Sequence, residues 1–455
     1  MKSKRVGILV GGGPAPGINA VIGAATIEAI NQGLEVIGFY DGFRWLCDDE
    51  FDPAAHMVRL DIPTVARIHF DGGSILRTSR TSLLDEERLK ASTVIGPHEA
   101  RVKQVVQHLS LLGIGQLITI GGDDTVLSAR LVCDAAQGAI RLVHVPKTID
   151  NDLPLPHEVV TFGFSTARFF GAQIVKNLMQ DSRTTGRWYL VTAMGRKAGW
   201  LAMGIGQSAG ATVTLIPEEF DDDIRLQAVA DVLEGAMLKR RVMGRNDGVA
   251  LVAEGLAYRL GDREELQRLL GREVPVDAAG HLRLAEVPLG DMLRSELQQR
   301  FKRRGESVTL VSHELGYELR SADPTPKDAA YCRALGHGSI RLLLERTDRS
   351  AAGVMVTLVN GNLVPMSFSD LIDPETNRTR TRLVDVGSYA YQVGRAYQIR
   401  LERSDLDDPT RLSKLAAEAR MTPDEFRKRY EMAATRRGAA PAEQVGPAPL
   451  VEIAE

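Results

Sequence analysis

Gly121-Gly122-Asp123-Asp124-Thr125 and Pro146-Lys147-Thr148-Ile149-Asp150-Asn151-Asp152 each follow an apolar, strand-like run, Leu117 to Ile120 in the first case and Leu142 to Val145 in the second. Each stretch therefore falls at the carboxyl end of a parallel strand, where open α/β sheets place their ligands. Together they bring four carboxylates and one lysine to one sheet edge. Acids at that density are costly to hold unless a metal or a reacting proton uses them.

Working outward, a helix from about Thr125 to Gln137, stopped by Gly138, joins the two stretches. Before them, residues 98–112 form an amphipathic helix with Val102, Val105, Val106 and Leu109 on one face, closed by Gly113. Nearer the start, Val6–Val10 reads as a buried strand. It leads through Gly11-Gly12-Gly13-Pro14-Ala15-Pro16-Gly17 into a helix carrying Ile18, Val21, Ile22, Ala25 and Ala29 on one face. Gly33 ends that helix, and Glu35–Tyr40 completes a βαβ unit. Glycines there let backbone N–H groups approach a phosphate. The loop nevertheless fits neither G-x-G-x-x-G nor G-x-x-x-x-G-K-[ST]. A second glycine turn, Asp71-Gly72-Gly73-Ser74, precedes Arg77 and Arg80, whose guanidinium forks suit phosphate oxygens.

Beyond Pro156 the pattern begins again. A helix near 165–180 precedes a strand at Trp188–Ala193 that ends in Met194-Gly195-Arg196. Thr212–Ile216 ends in Pro217-Glu218-Glu219, and Gly248–Ala253 ends in Glu254-Gly255. The expected fold is α/β, with two doubly wound units facing each other across a cleft. The expected division is 1–160 with part of 318–400, then 161–317, then a helical extension over 401–455. Residues 260–305 read as a charged insertion, with a helix at Glu264–Leu270, a hairpin around Asp277-Ala278-Ala279-Gly280 and a helix near 291–303. In the tail, Thr422-Pro423-Asp424-Glu425 is a helix start, and from Arg437 the composition is that of a weakly attached end.

The totals narrow the function classes. A chain of 455 residues with net charge −3, 44% apolar and 25% charged, is globular and offers nothing to nucleic acid or an anionic membrane. Three scattered cysteines, Cys47, Cys133 and Cys332, make no zinc spacing and fit a reducing, cytoplasmic compartment. The apolar run after the basic start is too short for a secretory signal, and no stretch is long enough to span a membrane.

At this point the motifs amount to a known pattern. The chain resembles the phosphofructokinase family, and more narrowly its pyrophosphate-dependent branch. The resemblance rests on GGGPAPGIN at 11–19, GGDDT at 121–125, PKTIDND at 146–152, MGR at 194–196, EG at 254–255 and GYELR at 316–320. These recur in the family's order over roughly residues 5–400. The resemblance implies the phosphofructokinase fold and transfer of a phosphoryl group to the 1-hydroxyl of fructose 6-phosphate, with Mg²⁺.

It also implies roles. Asp150 corresponds to the general base, Asp123 to the metal ligand, and Asp152 to a support for either. Gly12 and Gly13 correspond to backbone N–H donors to the phosphoryl donor, beside Arg80, Gly122 and Thr125. Thr148, Ile149, Met194, Gly195 and Arg196 correspond to the sugar-phosphate site, Arg196 also meeting the charge that builds during transfer. Glu254 corresponds to a ligand of sugar hydroxyls, and Tyr317, Glu318, Leu319 and Arg320 to the stretch that binds the sugar's phosphate. Arg187 aligns with an arginine donated across a subunit interface, which implies a homodimer or homotetramer. Asp124 stands where ATP-using relatives usually carry glycine. With Lys147 to neutralise it, the pair favours pyrophosphate over ATP. A first-helix arginine of the ATP-dependent bacterial effector site aligns with Gly23, so control by that route is not expected. The transfer energetics imply a reversible reaction serving glycolysis and gluconeogenesis. The competing readings are an ATP-dependent phosphofructokinase that tolerates Asp124 and a non-catalytic regulatory paralogue.

Overall fold

The strand at Arg5–Val10 (β1) is buried at every position but the first, because helices cover both faces of a parallel sheet. The computed structural model describes residues 4–83, 100–156, 159–260, 267, 271, 273, 287–345, 353–376 and 378–435. Further strands follow at Glu35–Phe39 (β2), Met57–Leu60 (β3), Ile114–Gly121 (β4), Arg141–Thr148 (β5) and Phe162–Gly163 (β6). Then come Trp188–Ala193 (β7), Val213–Leu215 (β8), Gly248–Ala253 (β9) and Leu310–Leu315 (β10). Val354–Val359 (β11) and Asn362–Ser367 (β12) close the series.

Two sheets result. The first runs β12-β11-β5-β4-β1-β2-β3, with β6 added beside β5. It is parallel except at its edge pairs, β2 with β3 and β11 with β12. The second runs β10-β7-β9-β8 and is parallel throughout. In the first sheet the chain goes from β1 to β2 on one side and returns to β4 on the other. The strand order thus reverses between β1 and β4, which opens a crevice at their carboxyl ends. One continuous apolar core joins the sheets, from Val6, Ile8 and Val10 through to Val191, Ile205 and Leu251. The α/β architecture with two parallel sheets is the one expected from the strand pattern.

Several boundaries follow directly from local chemistry. The helix Asp123–Ala136 opens on two acids that favour its positive end and stops where Gln137 and Gly138 turn to φ 47° and 82°. The helix Pro423–Thr435 is capped reciprocally: the Glu425 amide donates to Thr422 Oγ1 at 3.3 Å, and the Thr422 amide to Glu425 Oε2 at 2.8 Å. Its Phe426 and Tyr430 pack with Leu412, Leu415 and Leu238. Beneath them Glu234, with no exposed side-chain surface, is ion-paired to Arg300, Arg304 and Arg429 at 2.9, 2.5 and 3.0 Å. One buried carboxylate thereby ties the last helix to the second sheet's helices.

Within the charged insertion the helix near 291–303 runs from Leu289 to Arg303. Of the helix expected at 264–270 only Gln267 is described, and it is helical; the hairpin at 277–280 and the end beyond Arg437 lie outside the described residues. No helix among the described residues is long and apolar enough to cross a membrane.

Candidate active site

The carboxyl ends of β1, β4 and β5 in one sheet, and of β7 and β9 in the other, face one cleft of about 610 Å³. Both organising stretches open into it. Asp123, Asp124, Asp150, Asp152 and Lys147 all line it, as do Gly122, Thr125, Thr148 and Ile149. The opposite wall supplies Met194, Arg196, Glu254, Tyr317 and Arg320, and the floor Gly12, Gly13 and Arg80.

The glycine loop after β1 departs from its expected use. Gly12 has φ 79° and its amide donates to Ser79 O at 2.8 Å, while Thr78 Oγ1 donates to Gly12 O at 2.6 Å. Gly12 therefore shapes the loop against residues 78–79, and its N–H is not turned to a phosphate. At Gly13 a side chain would collide with the Arg320 guanidinium, so this position must be glycine for Arg320 to lie across the loop. Arg320, expected at the sugar's phosphate, thus lies against the glycine loop as well. Its pKa is lowered by burial and by neighbouring Arg80, as befits cations waiting for an anion.

Lys147 was expected to neutralise Asp124. Its ammonium instead donates to Gly13 O, and the carboxylates that act most on its charge are Asp150 and Asp123. Burial, then Arg320 and Arg196, pull its pKa down to about 7. A lysine so placed is charged below that pH and neutral above it. We expect kcat/KM for an anionic substrate to fall as pH rises through about 7, because the free protein loses that charge. Lys147→Arg should lift this alkaline limb, since arginine stays protonated. Superimposable profiles for the two proteins, recorded from about pH 6 to 9, would count against it.

Asp123 holds Arg196 in a forked contact, Nη1 lying 2.9 Å from Oδ1 and 3.0 Å from Oδ2. Arg196 reaches it from a left-handed backbone, φ 50°, after Gly195 at φ 154°. Glu254 holds that turn: its Oε1 accepts from the amides of Gly195 and Arg196 at 3.1 and 2.9 Å. Burial pushes the Glu254 carboxyl up to about 7 against those two amides. One carboxylate oxygen is therefore occupied in shaping the Met194–Arg196 turn, which a role in sugar binding alone does not anticipate.

The described residues of the loop after β5 form no helix or strand, and Asn151, Leu153, Leu155 and Val159 among them are buried. The Asp150 amide donates to Thr148 Oγ1 at 3.0 Å, and Thr161 Oγ1 to Thr148 O at 2.7 Å. Burial raises the Asp150 pKa, Arg196, Arg320 and Lys147 oppose it, and Asp123 adds to it. Asp152 is pushed to about 7 by burial and by Asp150 and Asp123. Beneath the loops lies His144, fully buried on β5 and held neutral by burial, with a pKa near 3. Its Nε2 donates to Gly121 O at 3.0 Å, so Nδ1 accepts from Thr119 Oγ1 at 2.8 Å. This histidine fixes the strand end from which Asp123 projects, and nothing in the sequence pattern marked it.

Some expected residues stay out of the cleft. Leu319 is wholly buried in the core, and Glu318 folds back so that Oε2 accepts from the Gly316 amide at 3.1 Å. Gly195 acts through backbone shape. Arg187 precedes β7 and so sits at the opposite sheet edge from Met194, beside Asp181 at 3.9 Å. It does not reach this chain's own cleft. The cleft also has a wall the sequence did not announce, the loop containing Asp373, Thr376, Arg378, Thr379 and Arg380. Ile372 bridges Thr379, and Thr379 Oγ1 donates to Asp123 O at 3.1 Å.

Comparison with known proteins agrees with this geometry. The phosphofructokinase family profile matches residues 5–343. The chain is 52% identical over 429 residues to the pyrophosphate–fructose 6-phosphate 1-phosphotransferase of Thermotoga maritima, covering 94% of this chain and 98% of that one. It is 44% identical to the Naegleria fowleri protein of the same name, covering 94% and 95%. A phosphofructokinase structure from Saccharomyces cerevisiae superposes with a TM-score of 0.61 at 19% identity, over 94% of this chain and 50% of the yeast chain. The profile takes in every strand that faces the cleft, and both named relatives run nearly end to end with it: this chain belongs to the phosphofructokinase family.

Proposed function

We propose that this protein transfers a phosphoryl group from pyrophosphate to the 1-hydroxyl of fructose 6-phosphate. The observation that carries the reading is Asp124 in the first turn of the helix Asp123–Ala136, on the donor side of a cleft that also holds Asp150. In this reading a carboxylate there would meet the α-phosphate of a nucleotide donor, and pyrophosphate has none. The names of the two relatives at 52% and 44% identity favour the same donor.

In this reading Asp150 takes the proton of the attacking hydroxyl while O1 bonds to the nearer phosphorus and the bond to the bridging oxygen breaks. Orthophosphate leaves. Arg196 meets the charge on the transferring group, and Lys147 and Arg320 that on the leaving phosphate. Met194 and Glu254 face the sugar, and Tyr317 its own phosphate. Burial raises Asp150 toward the working pH, where a base is most effective.

Magnesium, when bound, would be held by few protein ligands. Among the described residues no group of three His, Cys, Asp or Glu side chains can hold an ion by itself. Mg²⁺ commonly uses one or two carboxylates, substrate phosphates and water. Asp123 would be the protein's ligand, and the ion would neutralise phosphate charge when bound with pyrophosphate. Arg196 fills that role toward Asp123 here. We further propose that the reaction is reversible, serves glycolysis and gluconeogenesis, and takes place in the cytoplasm. Arg187, placed away from its own cleft, supports a homodimer or homotetramer in which it serves a neighbouring site.

An assay linked to fructose 1,6-bisphosphate formation, run with either donor and Mg²⁺, tests the reading. A higher kcat/KM with ATP would sink it in favour of an ATP-dependent enzyme. Inactivity with both donors would favour a regulatory paralogue.

A further inference from the structure

The loop from Ile149 to Val159 has no regular structure among its described residues, yet Asn151, Leu153, Leu155 and Val159 are buried. Buried carbonyls without a ladder need donors from elsewhere. One side chain supplies them. Arg382 Nε and Nη2 donate to Asn151 O at 3.2 and 3.1 Å, and Nη2 also to Asn151 Oδ1. Its Nη1 faces Val159 O at 2.7 Å, with Leu155 O and Pro156 O each at 3.4 Å. The Arg382 amide donates to Asp152 O at 2.7 Å.

The residue gripped most closely, Asn151, has φ 56°, a left-handed conformation that the surroundings must hold in place. It stands between Asp150 and Asp152. Asn151 Oδ1 also accepts from the Thr161 amide at 3.0 Å, so Arg382 closes a ring around the loop. Arg382 is itself held. Trp200 Nε1 donates to its carbonyl at 3.0 Å, and its guanidinium lies 5.7 Å over the Trp200 ring. Three residues earlier, Thr379 reaches the carbonyl of Asp123. One short strap thus touches both loops that bring carboxylates to the cleft. Arg382 does not line that cleft.

We infer that Arg382 is a positioning residue for phosphoryl transfer, holding the loop that aims Asp150 by occupying the carbonyls of Asn151, Leu155, Pro156 and Val159. The inference rests on the reading of Asp150 as the base. A lysine cannot replace the fork, because its single nitrogen cannot lie within hydrogen-bond distance of both the Asn151 and the Val159 carbonyls, which Arg382 reaches from different nitrogens.

The test is steady-state kinetics of the full chain with pyrophosphate, fructose 6-phosphate and Mg²⁺. Displacing a reacting group by about 1 Å costs about a hundredfold, so Arg382→Lys should lower kcat by about that factor, with both KM values within about threefold. Arg382→Ala should regain at least about tenfold in kcat with added methylguanidinium, a response that general loosening of the fold does not give. Trp200→Phe keeps an aromatic ring beside Arg382 but replaces the indole with a smaller phenyl and removes the N–H donor. It should lower kcat by about threefold at unchanged KM, and it decides the matter if the arginine variants fail to fold. A kcat for Arg382→Lys within about threefold of wild type, a loss matched by rising KM without rescue, or an unaltered Trp200→Phe would each overturn the inference. Wild-type inactivity with pyrophosphate would instead overturn the proposed function.

Discussion

Asp150→Asn is expected to lower kcat by about 10³- to 10⁴-fold while both KM values stay within about threefold. The substitution keeps the side chain's size, and the Asp150 amide keeps its hydrogen bond to Thr148 Oγ1. What it removes is the carboxylate, the group that accepts the hydroxyl's proton, together with the negative charge that Asp150 presents to Lys147 and Arg196. Because a base acts on the transfer step, the loss belongs in kcat. The sign of the pH dependence follows as well. Asp150 must be ionised, its pKa is raised by burial and by Asp123, and activity is therefore lost as pH falls through it. In the Asn variant the acid limb that Asp150 contributes should flatten. A loss below about tenfold, or an unchanged acid limb, would assign the proton to another group. Asp152, pushed to about 7, would be the first to examine.

Replacing both Asp124 and Lys147 by glycine is expected to shift donor preference toward ATP by about two to three decades in the ratio of kcat/KM values. Two unit charges about 4 Å apart at an effective dielectric of about 20 repel by about 4 kcal/mol, roughly a thousandfold. In the proposed reading, that is the order of the barrier Asp124 would set against an α-phosphate. Both residues line the cleft, so removing them also enlarges it on the donor side. The structure changes the reason for including Lys147. Its ammonium is tied to the Gly13 carbonyl, so its deletion frees the donor loop rather than unpairing Asp124. The single variant Asp124→Gly should accordingly yield most of the shift. Preference for pyrophosphate that survives both variants would place the selectivity elsewhere. The Asp373–Arg380 loop would then be the candidate, because it lines the same cleft.

Much of the site was legible because it is built at strand ends. An apolar run followed by glycines and acids marks where a parallel strand stops, and this marking is local. Val6–Val10, Leu117–Ile120 and Trp188–Ala193 could therefore be read individually, and their motifs converge on one cleft. Glu318 and Leu319 were misplaced because a motif names neighbours in sequence. In the short 3₁₀ turn Tyr317–Leu319, Tyr317 is exposed toward the cleft while Leu319 enters the core. His144 was invisible because a buried histidine on a strand leaves no periodic signal. The Asp373–Arg382 segment was invisible for a different reason: its described residues form no helix or strand, and its partners in the two carboxylate-bearing loops lie more than two hundred residues away.

The sequence by itself determined the strand ends, the glycine turns and the identity of the acids, because each depends on a few adjacent residues. The order of those motifs was enough to suggest the family. Only the tertiary structure decided which charges meet. Arg196 lies on Asp123, Lys147 lies on Gly13 O rather than with Asp124, and Arg320 crosses the glycine loop. Arg382 holds the loop between Asp150 and Asp152 from the far end of the first sheet's chain. Such pairings depend on how two sheets pack around one core and on which buried carbonyls need donors. No local pattern records either condition, since both are satisfied by residues brought together only when the chain closes on itself.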